Sequence, residues 1–253
     1  MLKNLSKYKY LIPCVALLII FLMMPDAMAQ SLKIDMGTKG KEPLLSSKMI
    51  QIIALLTVLS LAPSILMMVT SFTRVVIVLS FLRTALGLQQ TPPNSVIISL
   101  ALFLTFFIMA PTFEKSYVEG IKPLMENEVD DMEGMERVAA PFKLFMLDNV
   151  RDKDLSLFTG MAKFEVTERN EIPFHIVVPS FMLSELKRAF EIGFLIFLPF
   201  LIIDILVAST LMAMGMMMVP PVMISLPFKL IFFVLIDGWY MLCGSLVKSY
   251  GIG

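Results

Sequence analysis

Glu185 to Trp239 reads ELKRAFEIGFLIFLPFLIIDILVASTLMAMGMMMVPPVMISLPFKLIFFVLIDGW. Two apolar tracts, Ile192 to Met214 and Val222 to Val247, are separated by Gly215, Met216, Met217, Met218, Val219, Pro220 and Pro221. Glycine and a proline pair stop a helix and force a turn. At 1.5 Å per residue the first tract is long enough to cross a hydrocarbon core of roughly 30 Å. The stretch therefore predicts a helical hairpin made of membrane-type helices. Outward toward the N-terminus, Met49 to Phe72 carries no formal charge. Arg74 and Arg83 flank the apolar run Val75 to Leu82, the segment Gly87 to Asn94 with Pro92 and Pro93 makes a turn, and Ser95 to Phe113 is apolar again. The expected fold is an all-α, membrane-associated protein with two apolar helical hairpins, residues 49–113 and 191–253.

Between the hairpins, residues 114–190 hold fifteen acidic and ten basic side chains. Apolar residues there recur at helical spacing, so a small water-facing helical insert is expected. Pro141 suits the start of a helix with Phe142, Phe145 and Met146 on one stripe. Leu155, Phe158 and Ala162 mark a second stripe after the charged break Arg151 to Asp154. Pro179 suits the first turn of a long helix entering the apolar tract, with Lys187–Glu191 and Glu185–Arg188 on adjacent turns.

The first residues place Lys3, Lys7 and Lys9 ahead of an apolar run from Tyr10 to Met24, followed by Ala27-Met28-Ala29. This layout predicts a cleavable secretory signal peptide over 1–29, with an uncleaved anchor as the alternative, and a polar periplasmic segment over 30–48. Cleavage leaves the mature N-terminus outside, so two spans return the insert to the periplasm. The Arg74/Arg83 loop then faces the cytoplasm, in keeping with the positive-inside rule.

Composition supports a membrane protein and removes several functions. Hydrophobic residues make up 57% before the 12 glycines are counted, against roughly 45–50% with glycine included in soluble domains. The 21 basic and 21 acidic side chains cancel, so no long-range positive field draws nucleic acid, and no nucleic-acid partner is expected. Cys14 lies in the leading segment, which leaves Cys243 without an intramolecular disulfide partner, and His175 is solitary. Zinc motifs of the H-E-x-x-H kind, His-based triads and G-x-S-x-G elbows are absent, so neither an enzyme nor a bound cofactor is expected.

Asp204, Lys229 and Asp237 lie within the last hairpin, where an ionisable group at bilayer depth costs roughly 2.5–3.5 kcal/mol. Either Asp204 or Asp237 pairs with Lys229 across a subunit contact, or the three form a proton or ion relay. Prolines at 63, 111, 199 and 227 read as helix breaks whose freed carbonyls need neighbours. Met216, Met217 and Met218 are either a tight apolar turn or, if several copies surround an axis, a deformable collar. Thioether side chains are unbranched and adaptable, so such a collar closes against ions and yields to a polypeptide.

TSFTRVVIVLSFLRTALGLQQTPPN from Thr70 to Asn94, LALFLTFFIMAPTF from Leu100 to Phe113, and the stretch quoted first together resemble the FliP family of the flagellar type III export gate, over roughly residues 45–250. The resemblance implies an oligomeric helical pore, expected to be a pentamer, assembled with FliQ and FliR beside FlhA and FlhB. It would pass unfolded flagellar subunits outward from the bacterial inner membrane at the flagellar basal body. It also implies that much of the assembly is raised above the bilayer, that Met216, Met217 and Met218 form the pore gate, and that Phe145, Phe158 and Glu185 are subunit contacts. An ion-coupled or small-solute secondary transporter is the competing function, motivated by the broken helices and the three charged residues.

Overall fold

The computed structural model describes residues 44–164, 168–216 and 218–251. The signal peptide and most of the polar segment expected over 1–48 lie outside these residues. The chain divides into two units, 1–53 and 54–253; of the first, only the opening of a helix is described. Among the described residues the structure is helical throughout, without strands. In chain order the helices are α1 (Leu44–Met68), α2 (Phe72–Ala85), α3 (Asn94–Ser116) and α4 (Lys122–Met125), the last two joined by a π-helical stretch at Tyr117–Ile121. The insert continues with α5 (Asp131–Asn149), α6 (Asp152–Met161) and a 3-10 turn at Arg169–Glu171; α7 (Phe174–Ala213), α8 (Pro221–Leu235) and α9 (Gly238–Lys248) complete the order.

The apolar tracts are helices as their composition requires, and the first region holds three of them, α1, α2 and α3. Val75 to Leu82, the apolar run flanked by Arg74 and Arg83, supplies the buried stripe of α2: Val75, Val78, Leu79 and Leu82 are all in the core. With Phe72, Ile97, Ala101, Ile108, Ala189, Phe200, Phe233 and Leu246 they form one apolar cluster shared by α2, α3, α7, α8 and α9. A second cluster joins α5, α6 and the start of α7 through Met146, Leu147, Leu155, Ile176, Val177 and Phe181. Phe145 packs against both.

Several helix limits differ from the sequence expectation. Helix α5 starts at Asp131, ten residues before Pro141, because Asp131 and Glu133 favour its positive N-terminus and Pro141 removes only one interior hydrogen bond. The charged break before α6 is confined to extended Val150 and Arg151, with Asp152 and Asp154 inside the first turn. Helix α7 starts at Phe174, after Pro173, and runs through Pro179 and Pro199. Pro111 and Pro227 likewise sit inside continuous helices. At Gly120 the π-helical stretch approaches α5 so closely that an added Cβ would lie 2.6 Å from the Val138 nitrogen, so only glycine fits there.

Among the described residues, two runs are long and apolar enough to cross a membrane, Asn94–Met125 and Phe174–Ala213; the pair α8–α9, bent by 62°, would make a third if it is one span. The bend falls on Asp237, whose left-handed backbone (φ 51°) ends α8 and opens α9.

Candidate functional site

The Met-rich turn between α7 and α8 is built by its flanking residues. Gly215 takes φ +76°, its N–H donates to the Met212 carbonyl at 3.0 Å, and the Met216 N–H donates to the Leu211 carbonyl at 3.0 Å. This paired closure is a Schellman motif, which needs a residue tolerant of the left-handed region. Pro221 then begins α8 at the position where a missing N–H costs nothing. The backbone is thus specified at both ends while two side chains between are not packed: Met216 is 48% and Met218 98% exposed. Met217 lies outside the described residues. Met212, Met214 and Met223 beside the turn are exposed as well.

Arg74 and Glu185 form a buried ion pair that sequence reasoning assigned elsewhere. Their side chains are 1% and 0% exposed. The guanidinium grips the carboxylate through two nitrogens, Nε donating to Oε2 at 2.9 Å and Nη2 donating to Oε1. Arg74 Nη1 donates to Ser249 Oγ at 3.0 Å, and the Tyr250 phenol donates to Glu185 Oε2. Burial, followed by the neighbouring Glu185 carboxylate, raises the Tyr250 phenol well above its ordinary pKa.

This contact corrects two expectations. Arg74 is helical rather than in a cytoplasmic loop, and because it touches Glu185 of the insert the two residues cannot lie on opposite sides of a membrane. Glu185 pairs with Arg74 rather than Arg188 and is enclosed by its own chain, so in this arrangement it offers no side-chain surface to another copy. Phe145 and Phe158 are half-buried within the chain, and Lys187 does pair with Glu191 at 3.3 Å. Nothing within short sequence range pointed to Ser249 or Tyr250.

Lower on α7, Asp204 meets Lys229 of α8 at 2.6 Å and accepts the Ser225 hydroxyl at 2.6 Å. Lys229 also donates to the Ala85 carbonyl at 3.2 Å, placing its charge at the negative C-terminus of α2. The pair expected across a subunit contact is therefore made inside one chain, and by Asp204; Asp237 is exposed at the α8–α9 break. Arg83 donates to Asn94 Oδ1 at 2.6 Å and to the Pro92 carbonyl at 3.3 Å, closing the loop between α2 and α3. It edges a cleft of about 320 Å³ otherwise lined by apolar side chains such as Leu79, Leu100, Phe233 and Trp239, which offers no nucleophile and base pair. A third polar group ties the insert to α7. Ser184 donates to Asp154 at 2.6 Å, and Asp154 also binds Arg151 at 2.8 and 2.9 Å.

Comparison with known proteins places the sequence in a family. The sequence pattern of the FliP family matches residues 55–246. The flagellar biosynthetic protein FliP of Caulobacter vibrioides is 56% identical over 234 residues, 92% of this chain and 87% of that protein. The FliP proteins of Agrobacterium fabrum and Bacillus subtilis are 50% and 56% identical, covering 88% and 81% of this chain and 93% of each relative. With matched segments that include α2, the long helix α7 and the methionine turn, the chain belongs to the FliP family.

Proposed function

We propose that this chain is a non-enzymatic core subunit of the flagellar protein export gate, forming with further copies of itself a closable pore for unfolded flagellar subunits. The observation that carries the reading is the turn after α7. Its backbone is closed by Gly215 and restarted by Pro221, while the Met216 and Met218 side chains extend from the end of an apolar hairpin. Such a turn holds position while its soft side chains part and close. In this reading the copies form a pentamer with FliQ and FliR, next to FlhA and FlhB, in the inner membrane at the basal body. The insert lies on the periplasmic side and carries Arg74 with it, which accords with an assembly raised above the bilayer. Phe145 and Phe158, half-buried here, remain the proposed contacts between copies.

The pairing of Asp204 with Lys229 and Ser225 inside one chain favours the conduit over an ion-coupled transporter, because two of the three groups that motivated a relay already satisfy one another and the third, Asp237, lies apart from them at the surface. The test replaces Met216, Met217 and Met218 with alanine and measures ion leak and flagellar secretion in cells. A leakier membrane with secretion at least partly retained is expected. Unchanged permeability in assembled complexes would remove the turn as the seal.

A further inference from the structure

The two residues that follow α9 hold together parts of the chain far apart in sequence. The Tyr250 ring stacks with Phe145 of α5 at 5.8 Å between centroids and 19° between planes, and the Arg74 guanidinium of α2 lies 3.9 Å from the same ring's centroid. The phenol donates to Glu185 of α7, and Ser249 accepts from Arg74 at 3.0 Å. We infer that Ser249 and Tyr250 form a clasp that fixes the C-terminal end of α9 and couples it to the charged insert through the Phe145–Tyr250–Arg74 stack.

The geometry separates the clasp from the ion pair it closes on. Arg74 grips Glu185 through two nitrogens without help from Tyr250, so opening the clasp leaves α2 and α7 joined. Helix α9 then keeps its buried Leu242 and Leu246 but loses the polar and aromatic tie at its end. Its other end is the left-handed break at Asp237. A shift of α5 at Phe145 is thereby passed to α9, and through the break to α8 and the turn that precedes it. Phe145, placed at a subunit contact by resemblance, acts in this proposal as a positioning residue for Tyr250 within its own chain, whether or not the chain lines a pore.

Cys243 is a half-buried thiol on α9 and reports on undocking, since modification of a thiol requires its exposure. The experiment uses the full-length chain in membranes with Cys14→Ser and follows the rate at which N-ethylmaleimide modifies Cys243. Tyr250→Ala and Phe145→Ala should each raise that rate about tenfold, and the double variant no further, because coupled partners are not additive. Tyr250→Phe, which keeps the ring and loses the donor, should raise it about two- to threefold while backbone hydrogen exchange across residues 174–190 stays at the parent level. A Tyr250→Ala rate within about twofold of the parent, or effects of Phe145→Ala and Tyr250→Ala that multiply, would overturn the clasp. If the alanine variant does not accumulate, Tyr250→Phe decides: a rate equal to the parent's overturns it.

Discussion

The two halves of α7 differ in what covers them. Up to Gly193 the helix buries Ile176, Val177, Phe181, Glu185 and Ala189 against its own chain; beyond it only Phe200 and Leu211 are buried, while Leu195, Leu201, Ile202, Ile205 and Leu206 are exposed. Each half carries one intrachain ion pair, and their enclosure follows the same gradient. Arg74 and Glu185 are 1% and 0% exposed, whereas Lys229 and Asp204 are 5% and 34% exposed. One apolar helix thus serves as a finished core where α2, α5 and α6 pack on it and as an open surface where they do not. The upper half encloses one face within a single chain and leaves Leu183, Leu186 and Phe190 on the other. The lower half is complete only when lipid or protein lies against it, since exposed apolar area of this extent marks such contacts.

The largest effect expected from this contrast comes from removing one partner of the enclosed pair. Glu185→Ala strands the Arg74 guanidinium in the interior and should cost about 3–5 kcal/mol, read as loss of the cooperative thermal transition of the full chain in detergent. Lys229→Met, acting on the more open pair, should cost less, about 1–2 kcal/mol, and the double variant Lys229→Asp with Asp204→Lys should recover part of it. Equal losses for Glu185→Ala and Lys229→Met would erase the distinction between the halves. The smallest effect belongs to the exposed face: Ile202→Ser with Ile205→Ser should change the isolated chain's stability by no more than about 0.5 kcal/mol per site. The same double variant should reduce recovery of oligomer in a pull-down between differently tagged copies. A large loss in the isolated chain would mean that this face is already part of a core.

The all-helical character, the long apolar tracts and the methionine turn could be read from local composition, because each is decided by residues within a few turns of one another. Gly215 and Pro220-Pro221 announce the turn without any tertiary information. The Arg74–Glu185 contact spans 111 residues, and neither neighbourhood predicts it; Arg74 beside an apolar run looked like a loop charge, and Arg188 one turn from Glu185 looked like its natural partner. Helix starts were misplaced for a related reason. Pro141 and Pro179 suit a first turn, but packing of α5 and of α7 stabilises earlier starts and outweighs one missing interior hydrogen bond at each proline. The assignment of Lys229 to Asp204 rather than Asp237 depended on the turn at Asp237 itself, whose left-handed backbone carries that carboxylate away to the surface.

Helix α7 has 40 residues, which at 1.5 Å each is a rod of about 60 Å, roughly double the oily slab of a bilayer. Standing upright, such a mast cannot be submerged along its whole length. Its fastened upper end and its bare lower end therefore meet different solvents when it stands so, with the methionine tip at the end that its own chain leaves bare.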